Sequence, residues 1–181
     1  MKLIYLIGLP GCGKSTVMKE FMSRYNDWVT NRPIDLLDSH TSGHLRVLGK
    51  YEEGETFSGT DRLSMAVAPK AIEYYSEQRD EVVIGEGDRL NNGGFFDCFD
   101  DKVIVHLTVS DEERQRRYEQ RGSNQSDKFI QTVKTKVSRI AEKYGDKVTL
   151  FGEEEGCVKE MRHENSDDTK KVVDFILSSI V

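Results

Sequence analysis

Residues 8–15 read Gly-Leu-Pro-Gly-Cys-Gly-Lys-Ser and follow directly on the apolar run Leu3–Ile7. No other stretch restricts the fold so tightly. A short continuous apolar run is what a strand presents when helices cover both faces of its sheet. After the octapeptide, Val17, Phe21 and Met22 can share one helical face, so a helix is expected to about Tyr25. Strand, glycine-rich turn and helix in that order gather backbone amides and a helix N-terminus around one point, which makes an anion cradle. Gly8 and Gly13 allow backbone conformations and close approaches that a side chain would hinder. Lys14 adds a point charge suited to β- and γ-phosphates and Ser15 a hydroxyl suited to Mg²⁺, at the full G-x-x-x-x-G-K-S spacing. Gly11, Cys12 and Thr16 complete the stretch expected to touch the nucleotide. The expected ligands are ATP and Mg²⁺.

The remaining chain alternates short apolar runs with helical patterns. Further strands are expected at Ile34–Leu37, Val82–Ile84, Val103–Leu107 and Val148–Phe151, with Leu45–Leu48 as an additional short candidate. Helices are expected from Asp61 to about Gln78, around Phe95–Phe99, from Ser110 to Arg121, over Asp127–Tyr144 and over Asp168–Ile180. Pro69 requires a kink or a break in the first of these. Ser110 with Glu113 three residues on has the form of a capping box. This alternation implies a three-layer α/β/α arrangement around a mainly parallel five-stranded sheet, with residues 1–181 as a single domain.

Several classes are disfavoured. The apolar runs are a few residues long, far from the roughly 20 that a membrane helix needs. The chain runs from Met1-Lys2 straight into a strand, so a cleaved leader is not expected. Cys12, Cys98 and Cys157 are scattered without metal-type spacing, which suits free thiols in a reducing, cytoplasmic compartment. The net charge of −6 argues against a generic nucleic-acid binder, yet residues 114–143 carry nine Lys or Arg against three Asp or Glu. A basic module on an acidic body suits a segment that closes over phosphates, and equally a solvated helix face.

The phosphate loop, together with Val105-His106-Leu107-Thr108-Val109-Ser110-Asp111-Glu112 followed by Arg117 and Arg121, resembles the P-loop kinase family over most of the chain. The Asn-Lys-x-Asp signature of GTPases and the Leu-Ser-Gly-Gly-Gln run of transporter ATPases are absent. The resemblance implies direct in-line phosphoryl transfer and a helical lid at about residues 111–143. In that reading Arg117 and Arg121 fold over the transferring phosphate, with Arg117 also touching the nucleotide. It further implies an acceptor carboxylate after the second strand, Asp38 or, if the strand ends earlier, Asp35. Glu86 or Asp88, after the third, would join Ser15 at the metal, with Asp88 also near the acceptor and Arg89 reaching a phosphate. Asp61 would accept the acceptor's proton and Arg62 hold a phosphate, whereas Thr60 or Asp61 could equally be a helix cap.

Three segments narrow the likeness. Gly59-Thr60-Asp61-x-Leu63-Ser64-Met65, Glu86-Gly87-Asp88-Arg89-Leu90 and Gly122-Ser123-Asn124-Gln125 resemble a group of phage-associated P-loop kinases, including those that phosphorylate 5-hydroxymethyluracil in DNA. That likeness implies hydroxymethylated DNA as acceptor and the host cytoplasm as location. A free nucleoside, nucleotide or other small metabolite is the alternative acceptor, and a non-catalytic ATP-gated binding module the alternative of another class.

Overall fold

β1 (Lys2–Ile7) is buried from Leu3 onward because helices cover it on both sides, and its alternating side chains feed two separate cores. The computed structural model describes residues 1–52, 58–79, 81–121, 125–145, 148–150, 153–155 and 157–180. Leu3, Tyr5 and Ile7 enter one core with α2 (Val67–Glu77), α3 (Gly93–Phe96) and α5 (Asp127–Gly145). Ile4 and Leu6 enter the other with α1 (Lys14–Met22) and α6 (Ser166–Ser179). The expected three layers are present.

The main sheet has seven strands. Its order is β2 (Val29–Ile34), β3 (Leu37–Ser42), β4 (Leu45–Leu48), β5 (Val82–Glu86), β1, β6 (Asp101–Thr108) and β9 (Val158–Arg162). From β4 to β9 every pairing is parallel, which gives the expected parallel core of five. Two antiparallel strands extend it at the β4 edge. Because the five core strands run one way, Ile7, Glu86, Thr108 and Arg162 all reach the same edge of the sheet. Sites of open parallel sheets form at that edge.

Two strands differ from the sequence-based expectation. Ile34–Leu37 does not form one strand: Leu36 has φ 72°, and the chain reverses there into a hairpin between β2 and β3. The parallel neighbour of β5 is instead β4, the short candidate. Val148–Leu150 (β7) pairs antiparallel with Glu153–Glu155 (β8) in a separate two-stranded sheet, and β9 takes the main-sheet edge. The apolar content of 148–151 drew the assignment there, although β9, with its mixed sequence Val-Lys-Glu-Met-Arg, is an edge strand and tolerates polar residues.

The helix expected from Asp61 divides into a 3-10 turn (Thr60–Arg62) and α2. Pro69 is the third residue of α2, where its missing N–H has no intrahelical acceptor to lose, so the helix needs no kink. α4 (Asp111–Arg121) starts as expected, with Glu113 N–H donating to Ser110 Oγ at 3.3 Å. The reciprocal half of the box is filled by Glu164, which accepts from Ser110 N at 2.7 Å. Among the described residues no helix is long and apolar enough to cross a membrane.

Candidate nucleotide and acceptor site

The loop after β1 wraps around the N-terminus of α1 as the octapeptide spacing requires. Gly13 caps the helix with φ 94°, and a Cβ placed on it would lie 2.3 Å from the His163 ring. Lys14 Nζ donates to the carbonyls of Gly8 and Leu9 at 2.9 and 3.1 Å, which hold the ammonium across the loop. Burial disfavours its charge, but the Cys12 sulfur, Glu86 and Asp61 outweigh that and keep its pKa above the ordinary lysine value. Cys12 itself turns inward, 1% exposed, into the α1–α6 core.

Ser15 Oγ donates to Glu86 Oε1 at 2.8 Å. β5 lies against β1 with Glu86 opposite Leu6, so the acid arrives beside the loop by register, fully buried. Among the described residues no group of three or more His, Cys, Asp or Glu is arranged to hold a metal unaided. A hydroxyl and one carboxylate, with phosphate oxygens supplying the rest, fit Mg²⁺, which binds through few protein ligands. The donor set therefore fits a Mg²⁺-nucleotide.

Gly8, Gly11, Gly13, Lys14 and Ser15 line a cleft of about 350 Å³ together with Asp61, Glu86, Asp88, Arg89 and Asn91. Asp61 Oδ1 accepts from Asp88 N at 2.6 Å. Its turn is carried by a buried network: Thr60 Oγ1 donates to Glu86 O at 2.7 Å, and Tyr5 Oη donates to Gly87 O at 2.9 Å. Burial raises the Tyr5 pKa well above its ordinary value, so the phenol remains a donor. Asp88 is committed to α5, its carboxylate and carbonyl accepting from Lys136 Nζ at 2.9 and 2.8 Å. Glu86, and not Asp88, is the acid in contact with Ser15. Arg89 Nε reaches Leu63 O at 3.4 Å while the residue lines the cleft. Gln125, Phe129 and Val133 close its far wall, Phe129 being 42% exposed.

A second cleft, about 340 Å³, also meets the α1 N-terminus at Gly13 and is lined by Thr16, Arg116, Arg117, Gln120 and the loop after β9. Arg117 belongs here, not over the first cleft. Its guanidinium donates to Gly11 O, to His163 O, to Glu164 O and to Glu113 Oε1, at 2.7–3.1 Å. Glu113 is pushed down to about 2 by its hydrogen bonds from Arg116 and Arg117. Tyr118 Oη adds a bond to Pro10 O at 2.8 Å, so α4 grips the loop from outside.

Asp38 is not brought to either cleft. The reversal at Leu36 puts it inside β3, where it pairs with Arg32 at 2.8 Å and Lys50 at 3.4 Å. Asp35 pairs with Lys70 on the surface. Arg62 pairs with Glu52 at 3.0 Å and is not among the residues lining the cleft. The side chain of Arg121, and residues Gly122, Ser123 and Asn124, lie outside the described residues. Much of the basic module's charge is spent internally, on the pairs Arg114–Asp111, Arg116–Glu113, Lys136–Asp88 and Lys143–Asp97.

Sequence reasoning missed Tyr5, Tyr118 and Asn91, each of which carries no motif. Comparison with curated proteins gives no match. The model of the family described as P-loop Nucleotide Kinase3 matches residues 1–173, almost the whole chain including both clefts, and the chain belongs to that family.

Proposed function

We propose that this protein transfers the γ-phosphoryl group of ATP to a hydroxyl acceptor bound in the 350 Å³ cleft. The observation that carries the reading is the convergence, in that one cleft, of Lys14, the Ser15–Glu86 pair and Asp61. Loop amides and Lys14 hold the β- and γ-phosphates. Ser15 and Glu86 would hold Mg²⁺, which when bound would supply positive charge to offset that of the phosphates. Asp61 Oδ1 is held by Asp88 N, and its other oxygen accepts the proton as the acceptor oxygen forms its bond to phosphorus and the bond to the leaving ADP oxygen breaks. Arg89 neutralises phosphate charge from the acceptor side. The second cleft, which shares Gly13 and Thr16 with the loop, takes the nucleoside end of ATP. α4 and α5, within residues 111–143, act as the lid.

The acceptor end joins the exposed Phe129 ring to two amide side chains, Asn91 and Gln125. Asn91 is 3% exposed, and its Oδ1 has no hydrogen-bond partner among the described residues. A ring face beside amides suits a planar acceptor with polar edges, and the sequence likeness supplies 5-hydroxymethyluracil in DNA as the specific candidate. ADP release is to be followed with hydroxymethylated DNA, free nucleosides, nucleotides and simple polyols, at low and moderate salt. The expected result is acceptor-dependent ADP release that falls by about 10²–10³ in Lys14→Ala, the scale seen when one charge-stabilising group is removed. Release on the polymer, weakened by salt, selects DNA; release on a free nucleoside selects the metabolite reading. ATP binding without release on any acceptor would refute the kinase in favour of a binding module.

A further inference from the structure

We infer that His163, as the neutral tautomer carrying its proton on Nε2, positions Arg117 and the phosphate loop for nucleotide binding. The inference rests on the proposed function and adds a residue to it. His163 is the first residue beyond β9 and is 3% exposed, with its N–H donating to Thr108 O at 2.8 Å. Its ring packs against Gly13, closely enough that the glycine could carry no side chain.

The contact with Arg117 selects the tautomer. Arg117 Nη1 lies 3.3 Å from His163 Nδ1, and a guanidinium has donors alone, so Nδ1 must accept. A neutral ring then bears its hydrogen on Nε2, which donates to Thr169 Oγ1 at 2.7 Å. Thr169 Oγ1 passes its own hydrogen to Asn165 O at 3.3 Å, so the chain is consistent from end to end. The same Arg117 Nη1 donates to Gly11 O at 3.1 Å. Gly11 C=O and Cys12 N–H share one peptide plane, and Cys12 N closes the loop's turn onto Leu9 O at 3.3 Å. His163 thus orients Arg117, and Arg117 orients a loop peptide. Neither needs to touch phosphate.

Protonation at Nδ1 would set a donor against a donor and two cations 3.3 Å apart in a buried place. The charged groups facing His163 are Arg117 with its partner Glu113 from α4, Asp168 from α6 and Glu164 in its own loop; the phosphate loop presents backbone of Cys12 and Gly13. Burial and Arg117 hold the imidazole below its ordinary 6.5, against the pull of Asp168 and of the backbone at Cys12 and at His163 itself. The neutral form is therefore the working form near neutral pH.

The test is calorimetric titration of Mg²⁺-ATP into wild type, His163→Leu and His163→Asn, which needs no acceptor. Asparagine offers an amide oxygen near the place of Nδ1 and does not titrate. His163→Leu is expected to weaken Kd about tenfold, the scale of one hydrogen bond to a charged group, and His163→Asn to recover most of that. Below 6.5 the wild type should weaken relative to His163→Asn, a comparison in which titration of the nucleotide cancels. Equal Kd values for wild type and His163→Leu, or parallel pH profiles for wild type and His163→Asn, would overturn the inference while leaving the kinase reading intact. Should His163→Leu not fold, the pH comparison decides alone. A wild type that binds no Mg²⁺-ATP removes both readings together.

Discussion

Gly59 offers the sharpest test of how Glu86, the acid proposed for the metal side, is held. It bridges Lys50 and leads into the turn that carries Thr60 and Asp61, with φ 73° and ψ −149°, a conformation that side chains rarely adopt. A Cβ there would lie 2.3 Å from Glu86 Oε1 and 2.8 Å from Glu86 Cδ. Gly59→Ala therefore meets two costs. The backbone strain is about 1–3 kcal/mol. The carboxylate can swing aside, but doing so gives up its bond from Ser15, worth about 1.5–3 kcal/mol for a charged acceptor. Together they come to about 2.5–6 kcal/mol against a total stability of about 5–15 kcal/mol. Gly43→Ala is the control, since Gly43 has φ 56° and nothing within 4 Å of a Cβ. It meets the left-handed penalty alone, about 1–2 kcal/mol. Urea unfolding near neutral pH should show Gly59→Ala losing clearly more than Gly43→Ala. ATP titrations with and without Mg²⁺ should then show that Gly59→Ala has lost most of the benefit the metal gives. If Gly59→Ala unfolds like Gly43→Ala and keeps the full Mg²⁺ effect, Glu86 is not held as described and the metal-side assignment fails with it.

Other outcomes follow from the same geometry. Asp38→Asn should leave acceptor-dependent ADP release within about twofold of wild type, because exposed pairs such as those with Arg32 and Lys50 contribute little; a loss of tenfold or more in steady-state assays would return Asp38 to the site. Glu113, whose pKa falls from 4.5 to about 2 when folded, contributes stability that is complete above 4.5 and is lost as pH falls through about 2. The difference in melting temperature between wild type and Glu113→Gln should accordingly be constant from neutral pH down to about 5 and shrink below that. A gap that instead widened toward acid would contradict the ion pairing of α4.

The phosphate loop was legible because everything it needs is local. Its amides, Lys14 and Ser15 come from eight consecutive residues between a strand and a helix, and covalent connection alone keeps them together. Glu86 was legible for a related reason: a buried strand is apolar, so an acid at its end stands out, and strand ends collect at one edge of a parallel sheet. Asp38 was misplaced because the reversal at Leu36 occurs at a residue that carries no turn signal, so a hairpin read as one strand. The edge strand β9 was passed over because an edge demands no apolar run.

The class of fold and the anion cradle were readable locally, both set by periodicity and by backbone conformations that particular residues allow. Which distant side chains meet was fixed by the packing of the whole chain. Arg117 stands 46 residues before His163, and Tyr118 stands 108 after Pro10, yet each pair is in hydrogen-bond contact. Such contacts follow from the order in which strands line up and from how helices settle on them. That order is chosen by burial summed over the whole chain, and no short segment carries a record of it.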